Sequence, residues 1–420
     1  MKNITKFYYS TMKGAPVLSS NWGSLLKAVR IVLTEGFNKN PVTSNTVEGD
    51  LRKFTFVEDP GYLLHQVVTL TGCITNPEIN GEYRVQKVEG FSVYLATEDV
   101  VSTLGGDMFL LTSPMGWSEV FTGTDKAVFR AKDILTNPFF LRIDNSLPVG
   151  YDPSWGKFAR VTMAEYMLGI DDFGGFAKAP TYLAHPNTNE QGNGVTGASG
   201  IYGWAKWYHG VETSTYLKET GVGSSATSSN FRWEIVGDNI SFYFFPSITN
   251  FVGRATYAFT CIATENTLDV FNCFLSATNG LRAANTNGEH ISTGSHSADC
   301  QWKSLNPAGK WLLRDYKGTI NESISCSLFS LNMGNSVQVS GRSEDTPFPS
   351  IIDNSILLHD IYVKTSNGVR GTLPCIQWIH SRWTLPEKSF LQQASGLFII
   401  LGVNYHNEGS TSFYAFKLEN

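Results

Sequence analysis

Charged side chains are scarce in this 420-residue sequence. Asp, Glu, Lys and Arg together make up 16% of it, whereas roughly a quarter of an average soluble domain is charged. The 32 basic and 37 acidic residues give a formal net charge of −5, and Lys and Arg never occur in a run longer than two. Binding to a phosphate backbone needs a basic patch or stripe, so we expect no nucleic-acid partner.

Metal-ligand and disulfide patterns are also missing. The six cysteines are widely spaced and form no CxxC or CxxH motif, so they indicate buried thiols rather than a zinc site or a disulfide scaffold. His290 and His296 lie in one polar stretch, but their spacing fits no common metal site. Asp171 and Asp172 lack the spacing of a calcium loop and favour a turn instead. We therefore expect no metal and no cofactor.

Long apolar runs and catalytic motifs are absent as well. No apolar stretch reaches the length of a membrane span, and the start MKNITKFYYS lacks the apolar core of a secretory signal. The hydroxyls beside His296 do not form a GxSxG motif. No motif singles out a carboxylate pair, which leaves glycosidase chemistry neither supported nor excluded. We expect a protein that is made in the cytoplasm and is not an enzyme.

What the sequence does have is 39 Gly, 27 Phe, 17 Tyr and 10 Trp. A surface that is short of charge and rich in aromatic and small polar residues suits packing against neighbouring subunits. β-rich proteins, however, also use many aromatics and turn glycines for internal reasons. Composition alone leaves both interpretations open.

One long helical pattern occurs, over residues 23–35. Asn21 or Ser24 can cap its start, and Gly36 stands where a left-handed C-terminal cap is usual. The spacing predicts an amphipathic helix of about three and a half turns. Its predicted core stripe consists of Leu25, Leu26, Val29, Val32 and Leu33.

Period-two strand patterns fill most of the remaining chain. Those within 41–112 predict a small five-stranded module, with a hairpin between 83–88 and 92–95. In the body, segments 232–236 and 241–245 flank a turn and predict a second hairpin with its aromatics on one side.

The predicted fold is therefore mainly β, a β-sandwich-like body with one amphipathic N-terminal helix and an inserted small β-barrel-like module. Its predicted parts are the N-terminal helix segment of the body (1–40), the inserted module (41–112) and the main β-rich body (113–420).

An aromatic cluster around residue 205 is the candidate ligand or partner surface. It consists of Tyr202, Trp204, Trp207 and Tyr208. Flat aromatic faces suit the apolar faces of sugar rings, which favours a glycan-binding surface. The same alternation is equally typical of a two-sided strand whose aromatics serve the core and subunit contacts. The sequence leaves both hypotheses open.

Short motifs are spread over most of the chain. They are FYYSxMxGAPVLS from Phe7, the GSLL helix that ends in EGF at Phe37, VTLTG from Val68, NGEYRV from Asn80, Gly116-Trp117, FTGT from Phe121, LRID from Leu141, WEIVGD from Trp233 and RGTLP from Arg370. In these motifs the chain resembles a family of uncharacterised virion proteins of tailed bacteriophages. It departs from the family pattern in the loops at 186–230 and 278–310.

The resemblance implies a structural component of the virion, in the tail, baseplate or neck (collar). Such a protein would act by assembling with copies of itself, as a symmetric homo-oligomer, and with other virion proteins. The resemblance carries no catalytic residue over to this chain. Two alternatives remain: a receptor- or glycan-binding tail protein that contacts a host surface glycan, and a polysaccharide-degrading tail enzyme.

Overall fold

In the computed structural model, strands are the main secondary-structure element of the described residues. The structure covers residues 4–97, 103–148, 153–154, 156–179, 205–210, 230–247, 255–264, 269, 272–279, 302, 309–315, 324–329, 356–380, 385–404 and 411–419. These residues form several sheets and one helix of 12 residues. The predicted mainly β class is confirmed.

The helices and strands follow in chain order. The first group is β1 (Lys6–Tyr9), α1 (Ser24–Arg30), a π-helical turn (Ile31–Glu35), β2 (Phe37–Pro41), β3 (Ser44–Glu48), β4 (Leu51–Thr55), β5 (Val67–Thr71), a 3₁₀ turn (Pro77–Ile79), β6 (Gly81–Glu89), β7 (Ser92–Leu95) and β8 (Phe109–Thr112). The second group is β9 (Trp117–Gly123), β10 (Lys126–Ala131), β11 (Phe140–Asp144), β12 (Lys157–Ala164), β13 (Lys178–Ala179), β14 (Ala205–His209), β15 (Trp233–Gly237), β16 (Phe242–Pro246), β17 (Tyr257–Cys261), β18 (Cys273–Ser276) and β19 (Thr278–Asn279). The third group is β20 (Lys310–Leu312), β21 (Ile324–Ser325), β22 (Ser327–Phe329), β23 (Leu357–Thr365), β24 (Gly368–His380), β25 (Phe390–Gln393), β26 (Gly396–Asn404) and β27 (Thr411–Glu419).

The N-terminal helix matches the predicted span, and its last turn is π-helical. All five residues of the predicted stripe are buried, so that prediction is confirmed: Leu25, Leu26, Val29, Val32 and Leu33. Gly36 has φ 76° and ψ −179°, so it ends the helix outside the left-handed helical region that the sequence indicated. A Cβ at Gly36 would lie 2.3 Å from the carbonyl oxygen of Thr112, which leaves room only for glycine.

The start of the helix is capped by Asn145, which directly follows β11. No side chain at its own N-cap position bonds the first turn, so the predicted caps Asn21 and Ser24 do not act there. Instead Asn145 Oδ1 accepts the backbone N–H of Leu25 at 3.0 Å and that of Leu26 at 3.4 Å. The amide nitrogen of Asn145 donates to the carbonyl oxygen of Phe158. One buried amide therefore joins the helix to the strands beneath it.

Replacing Asn145 with Ala should lower the free energy of unfolding by about 2–3 kcal/mol, because buried N–H and C=O groups lose their partner. Chemical denaturation measures this loss. The exposed Asn21 provides a matched control, since Asn21→Ala should stay within about 0.5 kcal/mol of the wild-type value. Equal effects of the two substitutions would show that Asn145 does not hold the helix.

Three stacked sheets form the body. The central sheet has the order β1-β15-β16-β17-β18-β20-β21, and the helix-side sheet the order β19-β14-β12-β11-β10-β9 with β13 beside β12. The C-terminal sheet has the order β22-β23-β24-β27-β26-β25. One hydrophobic core runs through all three layers and includes the helix stripe, which gives the sandwich-like body that the sequence predicted.

Strand β16 contacts both neighbouring sheets, one from each of its faces. It pairs with β15 in the predicted hairpin, with Gly237 opposite Phe242. Its ring contacts are Trp117–Phe242, Trp207–Phe242 and Trp207–Phe244 toward the helix-side sheet, and Tyr243–Phe416, Phe245–Tyr414 and Phe245–Phe416 toward the C-terminal sheet. The prediction that the aromatics lie on one side is therefore wrong, because successive side chains of a strand point to opposite faces.

The inserted module is a curled sheet of seven strands, not the five predicted. Its order is β2-β8-β5-β6-β7-β4-β3, so strands β2 and β3 stand at opposite ends of the sheet. Only Val42 and Thr43 connect them, and these residues bond to Met108 and Thr55 respectively. A two-residue connection can join the two ends only if the sheet curls back on itself, which makes the module barrel-like.

The module has its own core, which includes Phe54, Val68, Leu70, Val85, Val93 and Leu110. The predicted hairpin is confirmed, since Val88 pairs with Val93 across β6 and β7. The division of the chain at residues 40 and 112 stays a prediction.

The module docks on the body through buried polar contacts. Lys6 Nζ lies 2.6 Å from Glu82 Oε1. Arg84 donates to the carbonyl oxygens of Thr5 and Leu418, each at 3.0 Å, and its Nε lies 2.5 Å from Glu419. Residues near both termini of the chain are thereby fixed to one strand of the module.

Candidate functional site: an apolar patch held by buried ion pairs

Charged side chains line the outer face of the helix-side sheet. On β11, Leu141 and Ile143 point into the main core, whereas Arg142 and Asp144 alternate with them and point away from it. Arg142 and Asp144 stand opposite Thr162 and Arg160 of β12. These four polar residues are nevertheless buried.

Asp144 is the centre of the ionic cluster. Its carboxylate lies 2.7 Å from Arg160 Nη2, 3.1 Å from Arg142 Nη2 and 3.6 Å from Lys126 Nζ. The hydroxyl of Ser146 donates to it at 2.5 Å. Burial alone would raise the pKa of Asp144, but the Arg160 and Arg142 guanidinium groups outweigh it and hold that pKa below its usual value. The carboxylate therefore stays ionised and already has cationic partners.

The cluster fixes the loop between β12 and β13 onto the sheet. Arg142 Nε donates to the carbonyl oxygen of Ile170 at 2.8 Å, and Arg142 Nη2 pairs with Asp171. Lys126 Nζ lies 3.1 Å from Asp171. Asp172 Oδ1 accepts the backbone N–H of Gly174 at 2.8 Å, which is the local turn contact that the sequence indicated in place of a calcium loop.

A small apolar cluster supports this loop from below. Its buried members are Val128, Phe140, Ala164, Met167 and Phe173. The loop backbone is also closed on itself, since the N–H of Glu165 donates to Ala177 and that of Leu168 to Asp172, both at 2.8 Å. Ion pairs, packing and backbone bonds together make this loop a defined surface.

The loop presents three large apolar side chains to solvent, here called the outer patch: Tyr166, Leu168 and Phe176. They are 43%, 58% and 41% exposed. The rings of Tyr166 and Phe176 are 5.1 Å apart in an edge-to-face arrangement. A Cβ on Gly174 would approach both Leu168 and Phe176 within about 3 Å, which places these two side chains side by side. Contiguous exposed apolar groups on a rigid support are typical of a contact surface.

The predicted aromatic surface lies elsewhere and is not a surface at its described positions. Trp207 is fully buried, stacks on Tyr257 at 5.6 Å between ring centroids and donates to the carbonyl oxygen of Ser276. Tyr208 is also buried and packs edge-on against Phe158. Both rings are buried, which fits the core alternative and leaves neither Trp207 nor Tyr208 an exposed face for stacking on a sugar ring. Tyr202 and Trp204 lie outside the described residues.

Asp238 is a second buried carboxylate, in the turn between β15 and β16. Its Oδ1 accepts the backbone N–H groups of Ile240 and Ser241 at 2.9 and 2.8 Å. The indole nitrogen of Trp117 donates to its carbonyl oxygen at 2.9 Å. Burial raises the pKa of Asp238 to about 6. The side chain is enclosed between sheets, so a role inside the fold explains the shift better than contact with a substrate.

Replacing Asp238 with Asn should stabilise the protein at neutral pH. The folded state binds the Asp238 proton more tightly than the unfolded chain, so the contribution of Asp238 to stability is greatest below about pH 4 and is lost as pH rises through about 6. Asn keeps the Oδ1 acceptor and removes the charge. We expect the free energy of unfolding of Asp238→Asn to exceed that of the wild type by about 1–3 kcal/mol at pH 7.5 and to equal it at pH 4.

Urea denaturation of both proteins across this pH range tests the prediction. Asp50→Asn, at an exposed position, is the control. It should leave the difference in the free energy of unfolding between pH 4 and pH 7.5 unchanged. A gain for Asp238→Asn that is the same at pH 4 and pH 7.5 would contradict the assignment of the buried charge.

Sequence reasoning did not identify the outer patch. Tyr166, Leu168 and Phe176 follow no helix or strand period, and their proximity depends on the fold of the loop. Two features of the sequence belong to this region. In the LRID motif, Arg142 and Asp144 alternate with core residues, and Asp171-Asp172 predicts the turn that Arg142 holds.

Among the described residues, no group of three or more His, Cys, Asp or Glu side chains could hold a metal ion. In the same part of the chain, no helix is long and apolar enough to cross a membrane. No protein-family model and no curated protein sequence matches this chain.

Proposed function

We propose that this chain is a structural component of a tailed-bacteriophage virion, in the tail, baseplate or neck, and that it works by subunit association. The outer patch is the observation that carries the proposal. Exposed apolar side chains usually cost solubility unless a partner covers them. Here buried ion pairs and a dedicated small core hold three of them in place. This arrangement suits a preformed contact surface between subunits.

The motifs behind the resemblance provide further support, because their side chains join layers rather than line a cleft. Trp233 Nε1 donates to the carbonyl oxygen of Pro16 at 3.1 Å, which ties β15 to the segment before the helix. Arg370 forms two 2.6 Å bonds with Asp269, which connect the C-terminal and central sheets. A subunit that transmits load within a particle needs such a rigid frame.

The outer patch can be tested by self-association of the purified chain. We expect Leu168→Ser to raise the dissociation constant of the oligomer about tenfold, since covering an exposed leucine contributes roughly 1–2 kcal/mol. Val369→Ser is a matched control, because Val369 is 55% exposed against 58% for Leu168 but lies at the β23–β24 turn. Analytical ultracentrifugation gives both values, and unchanged thermal midpoints confirm that the variants fold.

Mass spectrometry of purified particles tests the location. The proposal expects peptides of this chain in particles of the virus that encodes it, at a copy number that fits a ring or an attached set. A chain that stays monomeric at high concentration and is missing from the particles would contradict the proposal.

The two alternatives have less support. A glycan-binding role that uses Trp207 and Tyr208 loses its platform, since both rings are buried. A glycosidase needs a carboxylic acid that reaches a substrate. Asp144 is fully buried and held ionised by cations, which does not suit that role. The outer patch favours association.

A further inference from the structure

Two cysteines face each other across strands β17 and β18. Cys261 and Cys273 are register partners in this antiparallel pair. The next pair along, Ile262 and Asn272, is joined by a backbone bond of 2.9 Å from the Ile262 N–H. Pairs alternate along an antiparallel ladder, so the cysteines occupy a non-hydrogen-bonded position. At such positions the Cα atoms are about 4.5 Å apart and side chains lie closest.

This placement fits the geometry of a disulfide, which needs Cα atoms roughly 4.4–6.8 Å apart. Both cysteines are free thiols and both are buried. Within the described residues, Cys73, Cys326 and Cys375 have no cysteine as register partner. The pairing of Cys261 with Cys273 therefore depends on the strand register and not merely on cysteine content.

We propose that Cys261 and Cys273 are a redox modification site, which a small-molecule disulfide such as oxidised glutathione converts to an intramolecular disulfide. The chain is synthesised with both thiols reduced, and the bond forms when the folded protein meets an oxidising environment. The proposal concerns the fold alone and holds whether or not the chain is a virion protein.

The bond would close the base of the β17–β18 connection, which contacts the C-terminal sheet through its backbone and an ion pair. Ala263 exchanges two backbone bonds with Thr372, at 2.8 and 2.9 Å. Asp269 forms the ion pair with Arg370 from the same connection. A covalent link between Cys261 and Cys273 would hold the two ends of this connection together. It would thereby restrain the connection in its contacts with β24.

The reaction proceeds by two thiol–disulfide exchanges. The Cys261 thiolate attacks one sulfur of oxidised glutathione, which forms a mixed disulfide and releases one glutathione thiolate. The Cys273 thiolate then attacks the Cys261 sulfur, which forms the internal bond and releases the second glutathione thiolate. Two protein thiols lose two protons and two electrons, and one glutathione disulfide becomes two glutathione thiols.

The order of attack follows from exposure. Cys261 is 8% exposed and Cys273 is fully buried, so the reagent reaches Cys261 first. Burial raises the pKa of the Cys273 thiol well above its ordinary value, so its thiolate is rare and the second step is slow. We therefore expect cross-linking over hours to days rather than seconds.

The test is oxidation of the purified full chain with oxidised glutathione in native buffer, followed by alkylation in denaturant and peptide mass spectrometry. Cys300 lies outside the described residues, so every protein in the experiment carries Cys300→Ala. We expect a peptide cross-linked between positions 261 and 273, and a thermal midpoint that rises by about 3–6 °C and falls again with reductant.

Two variants control this experiment. Cys273→Ala should give no internal cross-link and should keep glutathione as a mixed disulfide on Cys261. Cys326→Ala should cross-link as fully as the parent chain. If the parent chain, after a week with the oxidant, keeps both thiols free, or stops at the mixed disulfide, the proposed site is wrong.

Discussion

Replacing Leu25 with Asp is expected to prevent soluble folding of this protein. Leu25 is fully buried in the core shared by the helix and the three sheets. A carboxylate at this position would lie among apolar side chains of the core. Burying an unpaired charge costs several kcal/mol. That loss is comparable to the whole stability of many domains. Val29→Asp, one turn further along the same stripe, should behave in the same way.

Soluble yield and circular dichroism after expression measure this outcome. Lys27 is exposed on the same helix, so Lys27→Asp is the matched control and should yield folded protein. Leu25→Ala provides a graded variant that should fold and lose about 2–5 kcal/mol. A soluble Leu25→Asp protein with the wild-type thermal midpoint would show that the stripe is not core.

The second large effect is expected at Arg370. Its guanidinium group and the carboxylate of Asp269 are 3% and 1% exposed and form a two-point ion pair. Arg370→Met leaves the Asp269 charge buried without this partner, which should cost about 3–5 kcal/mol in the free energy of unfolding. Denaturant unfolding of the purified variant measures the loss.

The double variant Arg370→Met with Asp269→Leu separates charge from packing. It removes both charges and keeps apolar volume, so it should recover most of the lost stability. The exposed pair Lys13–Glu58, at 3.3 Å, is the control, and Lys13→Met should change stability by less than about 1 kcal/mol. A double variant as unstable as Arg370→Met alone would show that shape, not the unpaired charge, dominates at this contact.

Local patterns predicted much of this fold because the interactions that form it are local. The helix stripe has the 3.6-residue period, so its buried face followed from spacing. The hairpins at Gly237 and Gly90 followed from turn residues between alternating segments. The helix and the strand pairing of both hairpins agree between the sequence-based description and the structure, apart from the π-helical turn, the helix caps and the sides on which the aromatics of the Gly237 hairpin lie.

Interactions between distant residues account for what the sequence did not predict. Asn145 caps a helix 120 residues earlier in the chain, and no local pattern indicates such a partner. The run from Phe242 to Phe245 shows no alternation in polarity, because layers cover both faces of β16. Arg142 and Asp144 have the spacing of a solvent-facing row and are buried only because a later loop covers them.

The most direct measurement of the proposed function is a cryo-EM reconstruction of the intact particle in which we propose this chain to be a subunit. The proposed function predicts density for the three-layer body and its barrel-like module in copies related by symmetry, with Tyr166, Leu168 and Phe176 covered by a neighbouring subunit. A reconstruction in which other proteins account for all the density, and from which this chain is missing, would contradict the proposed function.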